Sequence, residues 1–291
     1  MVTLPANPGF QLVAGRVDIA HPATGNTKGM IMKDWNPDLY MQFRSERTQP
    51  SIDLIAKINP VNPKSIIDIG CGPGSSTQVL VNRWPNARIT GLDSSQSMIR
   101  KAEQDYPNQE WIVADALTFD SKIKYDIVFS NAAFQWIPNH EALLKKFQKM
   151  LSDNGLIAIQ IPLFWDMPLG KTISESAKDN RWKKQMEGIE GLFTIHNYSF
   201  YYDHLSSLFN SIDIWETHYF HELDSHIAIL EMMRSTGLRP YLDKLDNDMD
   251  IYQFENKILK GIEKAYPKQK TGKVLLPFKR LFFIGYKSKQ G

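Results

Sequence analysis

A single cysteine, Cys71, is present in the whole chain. An internal disulfide and any cysteine-based zinc cluster are therefore excluded, which fits a reducing compartment such as the cytoplasm. Neither sign of charge dominates: 34 Lys and Arg stand against 32 Asp and Glu, a formal net charge of +2. No global field draws in nucleic acid, so a polyanionic partner is not expected. No apolar run reaches the roughly eighteen residues that span a bilayer, so no membrane segment is expected. His140, His196, His204 and His226 show no E-x-x-H-type spacing with acids, so no metal site is expected. The G-x-x-x-x-G-K-[ST] pattern is absent, which argues against a triphosphate-cradling loop. Internal repeats and low-complexity tracts are lacking, and the Lys-rich pieces at 145–149 and 264–273 read as solvated faces.

What is present is an ordinary globular composition, 291 residues with 42% hydrophobic, enough for one large α/β domain or two small ones. The organising stretch is Ser65 to Ser76. Ile66, Ile67 and Ile69 flank the acid Asp68, and Gly70, Gly72 and Gly74 follow within five positions. This predicts a buried strand that runs into a sharp turn and then a helix, with Pro73 ending the strand. Glycines there let the backbone turn and let a ligand approach its amides. Cys71 sits inside the turn, which accounts for it without a nucleophilic role. The spacing is G-x-G-x-G rather than the dinucleotide G-x-G-x-x-G. About twenty residues on, Arg88 to Asp93 reads as a second strand ending in an acid, from which a carboxylate can accept both ribose hydroxyls.

The remaining chain supplies further elements. Residues 1–29, with scattered Pro and Gly, read as a disordered leader or an added extension, the alternative being a tail packed on the surface. Residues 30–60 read as an N-terminal helical lid, with Pro37 in its first turn and Pro50 breaking it into two pieces. Ser75 to Trp84 is the first crossover helix. Trp111 to Asp115, Tyr125 to Asn131 and Leu156 to Ile161 are the third, fourth and fifth strands, the last following a helix that ends on the turn Leu151 to Gly155. Tyr201, Leu205 and Leu208 mark one buried helical stripe. Ser211 to His221 alternates like a strand, 224–270 is a helical insertion, and Val274 to Tyr286 is a final strand pair or hairpin partner.

Asp68-Ile69-Gly70-Cys71-Gly72-Pro73-Gly74, Gly91-Leu92-Asp93-Ser94-Ser95 with Met98, and Ala114-Asp115-Ala116 resemble the S-adenosylmethionine-binding core of class I methyltransferases. A more specific set covers roughly residues 32 to 285. Asp34-Trp35-Asn36-Pro37 with Tyr40, Glu46-Arg47, Ser130-Asn131-Ala132 with Gln135-Trp136, and Thr236-Gly237-Leu238-Arg239-Pro240 with Leu281-Phe282 resemble the trans-aconitate 2-methyltransferase family. The resemblance implies a Rossmann-like, seven-stranded, mostly parallel sheet with the helical lid and with a helical insertion between the last two strands. The cofactor-binding core is expected over 61–223, the insertion walling the substrate pocket over 224–270, and the final core strand and tail over 271–291.

The same resemblance implies cofactor contacts from Trp35, Tyr40, Arg47, Asp68, Gly70, Cys71, Gly72, Gly74, Asp93, Ser94, Met98, Asp115, Ala116 and Asn131. Several have a second reading: Met98 as core filler, Asp115 as a turn cap, Trp35 and Tyr40 as packing aromatics. Arg47 can meet a carboxylate of the cofactor or of the substrate by a bidentate pair. A carboxylate acceptor is ionised at neutral pH, with a reference pKa near about 4, and needs no general base. It must instead be bound and stripped of water. Gln135, Trp136, Tyr219, His221, Arg239 and Arg280 are the candidates for positioning it, with His221 also readable as the polar end of its strand. The expected activity is methyl transfer from S-adenosylmethionine to a carboxylate of a small polycarboxylic acid. The resemblance implies trans-aconitate as that acid, with the methyl ester and S-adenosylhomocysteine as products and no metal. Rival readings are a carboxyl methyltransferase for a malonyl thioester on a carrier protein and a non-catalytic cofactor-binding partner subunit. A cytoplasmic monomer or weak homodimer is expected.

Overall fold

The structure, a computed structural model, describes residues 44–59 and 62–288. Five strands run parallel: β1 (Ser65–Ile69), β2 (Arg88–Asp93), β3 (Glu110–Val113), β4 (Tyr125–Asn131) and β5 (Leu151–Pro162). β6 (Ser211–Leu223) and β7 (Val274–Tyr286) complete a seven-stranded sheet of order β3-β2-β1-β4-β5-β7-β6, with β7 antiparallel to both its neighbours. This is the expected seven-stranded, mostly parallel α/β fold. The chain winds outward from β1 to β3, then returns to place β4 on the other side of β1. That reversal opens a crevice at the carboxyl ends of β1 and β4.

The helices are α1 (Arg44–Lys57), α2 (Ser75–Arg83), α3 (Gln96–Asp105), α4 (His140–Met150), α5 (Pro168–Ala177), α6 (Tyr198–Leu208), α7 (His226–Arg234), α8 (Arg239–Leu242) and α9 (Asp248–Ala265). Alternation along the strands sorts their side chains between two layers. Ile66, Ile127, Phe129, Leu156 and Phe282 pack with Leu54, Ile55 and Ile58 of α1 and Leu80 of α2. Ile67, Val128, Ile157 and Phe283 pack with Leu143 and Phe147 of α4 and Tyr201 and Leu205 of α6. α7, α8 and α9 lie between β6 and β7, and they share an apolar cluster with α5 and with Val274, Leu276 and Phe278 of β7.

Four sequence expectations change. Pro50 does not divide the first helix, which runs through it. The Ser51 hydroxyl donates to the Thr48 carbonyl at 2.7 Å beside the proline, and burial of Leu54, Ile55 and Ile58 holds the helix together beyond it. This described part of the segment covers one face of the sheet; Trp35 and Tyr40 lie outside the described residues, as does the side chain of Arg47. The third strand is Glu110–Val113 and stops short of Asp115. The helix before the fifth strand ends at Met150. Leu151 already pairs with Tyr125, and an irregularity between Tyr125 and Ile127 absorbs the polar residues up to Gly155. Finally, Val274–Tyr286 is one long strand rather than a pair, inserted between β5 and β6.

Close packing at β2 makes one position critical. A Cβ on Gly91 would lie 2.3 and 2.4 Å from the Trp111 indole carbons Cζ3 and Cε3. Gly91→Ala should therefore destabilise the fold by roughly 1 to 3 kcal/mol. Denaturant unfolding at unchanged m checks this, and a neutral result would mean that β3 is not held against β2 by that ring.

Candidate active site

The crevice at the switch point contains a cavity of 420 Å³. The glycine turn forms one wall. Its Gly70 and Cys71 amides both donate to the Leu92 carbonyl, at 2.7 and 3.1 Å. Gly72 has φ +54 with nothing within 4 Å of an added Cβ, so here the left-handed backbone faces open space. At Gly70 and Gly74 an added Cβ would meet other side chains: it would lie 2.1 Å from the Ala133 Cβ in the first case and 2.7 Å from the Trp111 Cη2 in the second.

Asp93 ties the wall together. Its Oδ2 accepts from the Gly72 amide at 2.9 Å and its Oδ1 from the Ser95 amide at 2.8 Å. A carboxylate oxygen has two acceptor sites, so hydroxyls of a ligand can still be received on this edge. Ser95 caps α3 by accepting from the Met98 amide at 3.2 Å. That places Met98, 3% exposed, against the cavity. Asp115 also has both of its proposed roles open, since it lines the cavity while its Oδ1 caps the turn through the Leu117 amide at 2.7 Å.

Of the cofactor residues expected from sequence, Gly70, Gly72, Asp93, Ser94, Met98, Asp115 and Ala116 line this cavity. Asp68, Cys71, Gly74 and Asn131 do not. Asp68 is fully buried, and its Oδ2 accepts from the hydroxyls of Ser76 and Thr77, each at 2.7 Å. It pins the first turn of α2 to β1. Cys71 lies buried against Gly91, and burial with the Asp68 and Asp93 charges nearby pushes its thiol pKa up. It stays a thiol rather than a nucleophilic thiolate.

A second, smaller cavity of 100 Å³ adjoins the first and shares Ala132 and Trp136 with it. Gln135, Trp136, His221 and Arg280 line it, together with Thr236 of the insertion and the rings of Phe164, Phe193 and Phe278. The Arg280 guanidinium, in a residue only 5% exposed, lies 4.6 Å from the Phe278 ring centroid and 5.8 Å from that of Tyr219. Tyr219 and Arg239 are not brought to this cavity. Tyr219 turns toward α1 and donates its hydroxyl to Asp53 Oδ2. Arg239 begins α8, with its Nε 3.6 Å from Asp243 Oδ2.

The wall shared by the two cavities is rigidly held. Ala132 adopts φ 54, a left-handed conformation uncommon for a residue with a Cβ. The Gln135 Nε2 donates to its carbonyl at 2.7 Å. His140, which is 1% exposed, faces the Phe134 carbonyl through Nε2 at 2.9 Å and the Tyr201 hydroxyl through Nδ1 at 2.8 Å. The carbonyl can only accept, so Nε2 carries the proton and Nδ1 receives the tyrosine's. Burial lowers the His140 pKa to about 4, which keeps this neutral tautomer at physiological pH.

Sequence reasoning missed Phe164 and Phe193, and also Gln160, whose Oε1 accepts from Arg280 Nη1 at 3.2 Å. The first two stand in irregular stretches with no periodic signal. Gln160 had one, as the only polar side chain in the run Leu156–Pro162. Among the described residues, no group of three or more His, Cys, Asp or Glu could hold a metal ion.

A sheet of this order, carrying a glycine turn at its switch point and an acid at the tip of the adjoining strand, is the fold of class I S-adenosylmethionine-dependent methyltransferases. Residues 66–155 match the methyltransferase domain family. The trans-aconitate 2-methyltransferase of Escherichia fergusonii is 38% identical over 253 residues, 87% of this chain and 98% of that protein. The chain belongs to the trans-aconitate 2-methyltransferase family. Solved structures share the fold at lower identity. The YcgJ protein of Bacillus subtilis is 12% identical with a TM-score of 0.56, covering 83% of this chain and 100% of its own. Phosphoethanolamine N-methyltransferase 2 of Haemonchus contortus, solved in complex with S-adenosyl-L-methionine, is 15% identical with a TM-score of 0.54, covering 87% and 57%.

Burial raises the Asp68 pKa from 3.8 to about 6, against the pull of the Ser76 and Thr77 hydroxyls and with a further push from the Asp93 charge. The folded pKa lies above the unfolded one, so the ionised group costs stability at neutral pH, and the cost fades as pH falls through about 6 toward 3.8. The cost at neutral pH is on the order of 3 kcal/mol. Asp68→Asn keeps an acceptor for both hydroxyls and should melt above the parent at about pH 7, with the gap closing near pH 4. A gap of the same size at both pH values would show that Asp68 is not a buried, ionised carboxylate.

Proposed function

We propose that this enzyme methylates a carboxylate oxygen of a small polycarboxylic acid, trans-aconitate first among them, and releases the monomethyl ester and S-adenosylhomocysteine. The observation that carries this reading is the buried Arg280 guanidinium lining a small cavity that adjoins the larger one across the Ala132–Trp136 wall. Relatives named for trans-aconitate support the choice of acid.

The larger cavity fits the donor. Asp93 would accept the ribose hydroxyls, Asp115 the adenine amino group, and Met98 would lie against the base, while the open backbone at Gly72 admits close approach. When bound, S-adenosylmethionine supplies a methyl group already made electrophilic by its sulfonium charge. The remaining work belongs to this chain. Arg280 offers a planar fork to a carboxylate, and His221 and Thr236 add polar groups beside it. Trp136, Phe164, Phe193 and Phe278 exclude water around the anion, which strengthens the pairing and exposes the attacking oxygen. No side chain has to remove a proton, because the acceptor arrives ionised. α7 and the turn after it contribute Met232, Met233, Thr236 and Gly237, so the insertion would set acceptor shape. Trp35 and Tyr40, which lie outside the described residues, and Arg47, whose side chain does, are assigned to cofactor binding. Asp68, Gly74, Cys71 and Asn131 are assigned to supporting that site, and Tyr219 and Arg239 to supporting the acceptor side. We assign the enzyme to the cytoplasm, as a monomer or weak homodimer.

Incubation with methyl-labelled donor and a panel of di- and tricarboxylic acids should yield labelled ester from trans-aconitate, and no ester from any acid would refute the reading. Turnover should persist about a unit below the usual histidine pKa of ~6.5, whereas a tenfold loss per pH unit there would indicate a general base. Asp93→Ala should weaken donor binding by roughly 1 to 3 kcal/mol. Calorimetry giving the parental affinity would remove Asp93 from the donor site.

A further inference from the structure

The two ends of the sheet are built differently. β3 closes one end with four residues, and a strand so short offers little to a neighbouring chain. β6 closes the other with thirteen, and it pairs with β7 in an unbroken register from Ser211 opposite Tyr286 to Leu223 opposite Val274. Among the described residues no strand pairs with its outer side. Edge strands are usually protected by lysine, proline or a bulge. Residues 211–223 contain no Lys, Arg, Pro or Gly, and the pairing with β7 shows no bulge. Phe220 stands 64% exposed on this strand, so a partner laid along it would take apolar surface out of water.

The order of residues on β6 fits a second copy of itself. Two antiparallel copies related by a two-fold axis through Thr217, normal to the sheet, would set each residue against the one equally far on the other side of the axis. Glu216 then meets the second copy's His218, Trp215 its Tyr219, and Ile214 its Phe220. Each is a favourable cross-strand pair: acid with imidazole, ring with ring, aliphatic with ring. Lys279 Nζ lies 2.9 Å from Glu216 Oε2, which steadies a carboxylate that still has acceptor sites for the imidazole. Neighbouring axes do worse. An axis through Glu216 opposes that carboxylate to its own copy, and one through His218 sets Glu216 against Phe220 and Ile214 against Glu222.

We infer that the outer side of β6 is a self-association edge, joining two copies of this chain sheet to sheet in the register centred on Thr217. A single strand pair makes a small interface, so the dimer forms at high concentration. The inference rests on this edge alone and is independent of what either cavity binds. Sedimentation velocity over a concentration series tests it on the parent, Phe220→Lys and His218→Glu. The parent should move from its monomer mass of 33.4 kDa toward twice that value. Each variant should raise the dissociation constant about tenfold or more, a loss of about 1.4 kcal/mol, because lysine discourages edge pairing and a glutamate at 218 faces Glu216. A parent that stays monomeric throughout would overturn the inference, as would self-association of parental strength in either variant. Cross-linking with a short bismaleimide decides the register, and does so even if one of those variants fails to fold. It should join Thr217→Cys copies, which meet at the axis, and not Glu222→Cys copies, whose counterparts lie most of a strand length apart; the native Cys71 is buried. Equal cross-linking of the two, or none in Thr217→Cys, would overturn the pairing.

Discussion

One carboxylate holds the wall of the larger cavity together. Asp93 binds the amide of Gly72 with one oxygen and that of Ser95 with the other, so a turn after β1 and a helix after β2 are fixed to the same strand tip. The adjacent Leu92 carbonyl takes the amides of Gly70 and Cys71. These are backbone groups that a sharp turn would otherwise leave without partners, and burying them unpaired would be costly. The glycine turn is thus held open by its own hydrogen bonds, the kind of support that a binding site on a rigid scaffold requires.

The smaller cavity uses different physics. Its polar groups are side chains, set among aromatic rings and methionines rather than along a backbone edge. A charge in such surroundings interacts far more strongly than one in water, and misplacing it costs correspondingly more. The surrounding positions are accordingly over-determined. His140 secures the Phe134 carbonyl, and the Gln135 carbonyl receives the Thr194 amide at 2.9 Å, which joins the Phe193 loop to the same wall. The two cavities therefore share a partition held from both sides.

Local patterns made much of the larger cavity legible. Ile66 to Gly72 and Arg88 to Asp93 each place strand, turn and acid within a few residues, and short-range chemistry governs such segments. Gly72 and Gly74 look equivalent in the chain, yet one opens on the cavity and the other makes room for Trp111, a residue from a different strand. Asp68 has the acid's position in a ligand-binding motif, but its carboxylate turns inward to Ser76 and Thr77. The proline rule failed at Pro50 because tertiary burial of Leu54 and Ile55 outweighed a lost helical hydrogen bond. Phe164 and Phe193 carried no periodic mark, and only the folded chain brings their rings 5.9 Å apart beside Trp136.

By itself the sequence determined the strand–turn–helix unit, the acid at the tip of β2 and the class of ligand such a unit holds, because those depend on neighbours within a few positions. Only the tertiary structure decided which arginine reaches the smaller cavity. Arg239 and Arg280 were equal candidates in the chain. β7 inserts antiparallel between β5 and β6, in a register that sets Arg280 beside Gln160, a residue 120 positions away. Arg239, at the start of a short helix, turns toward Asp243. Pairing between strands so far apart is settled by the packing of the whole sheet, which no local window of sequence contains.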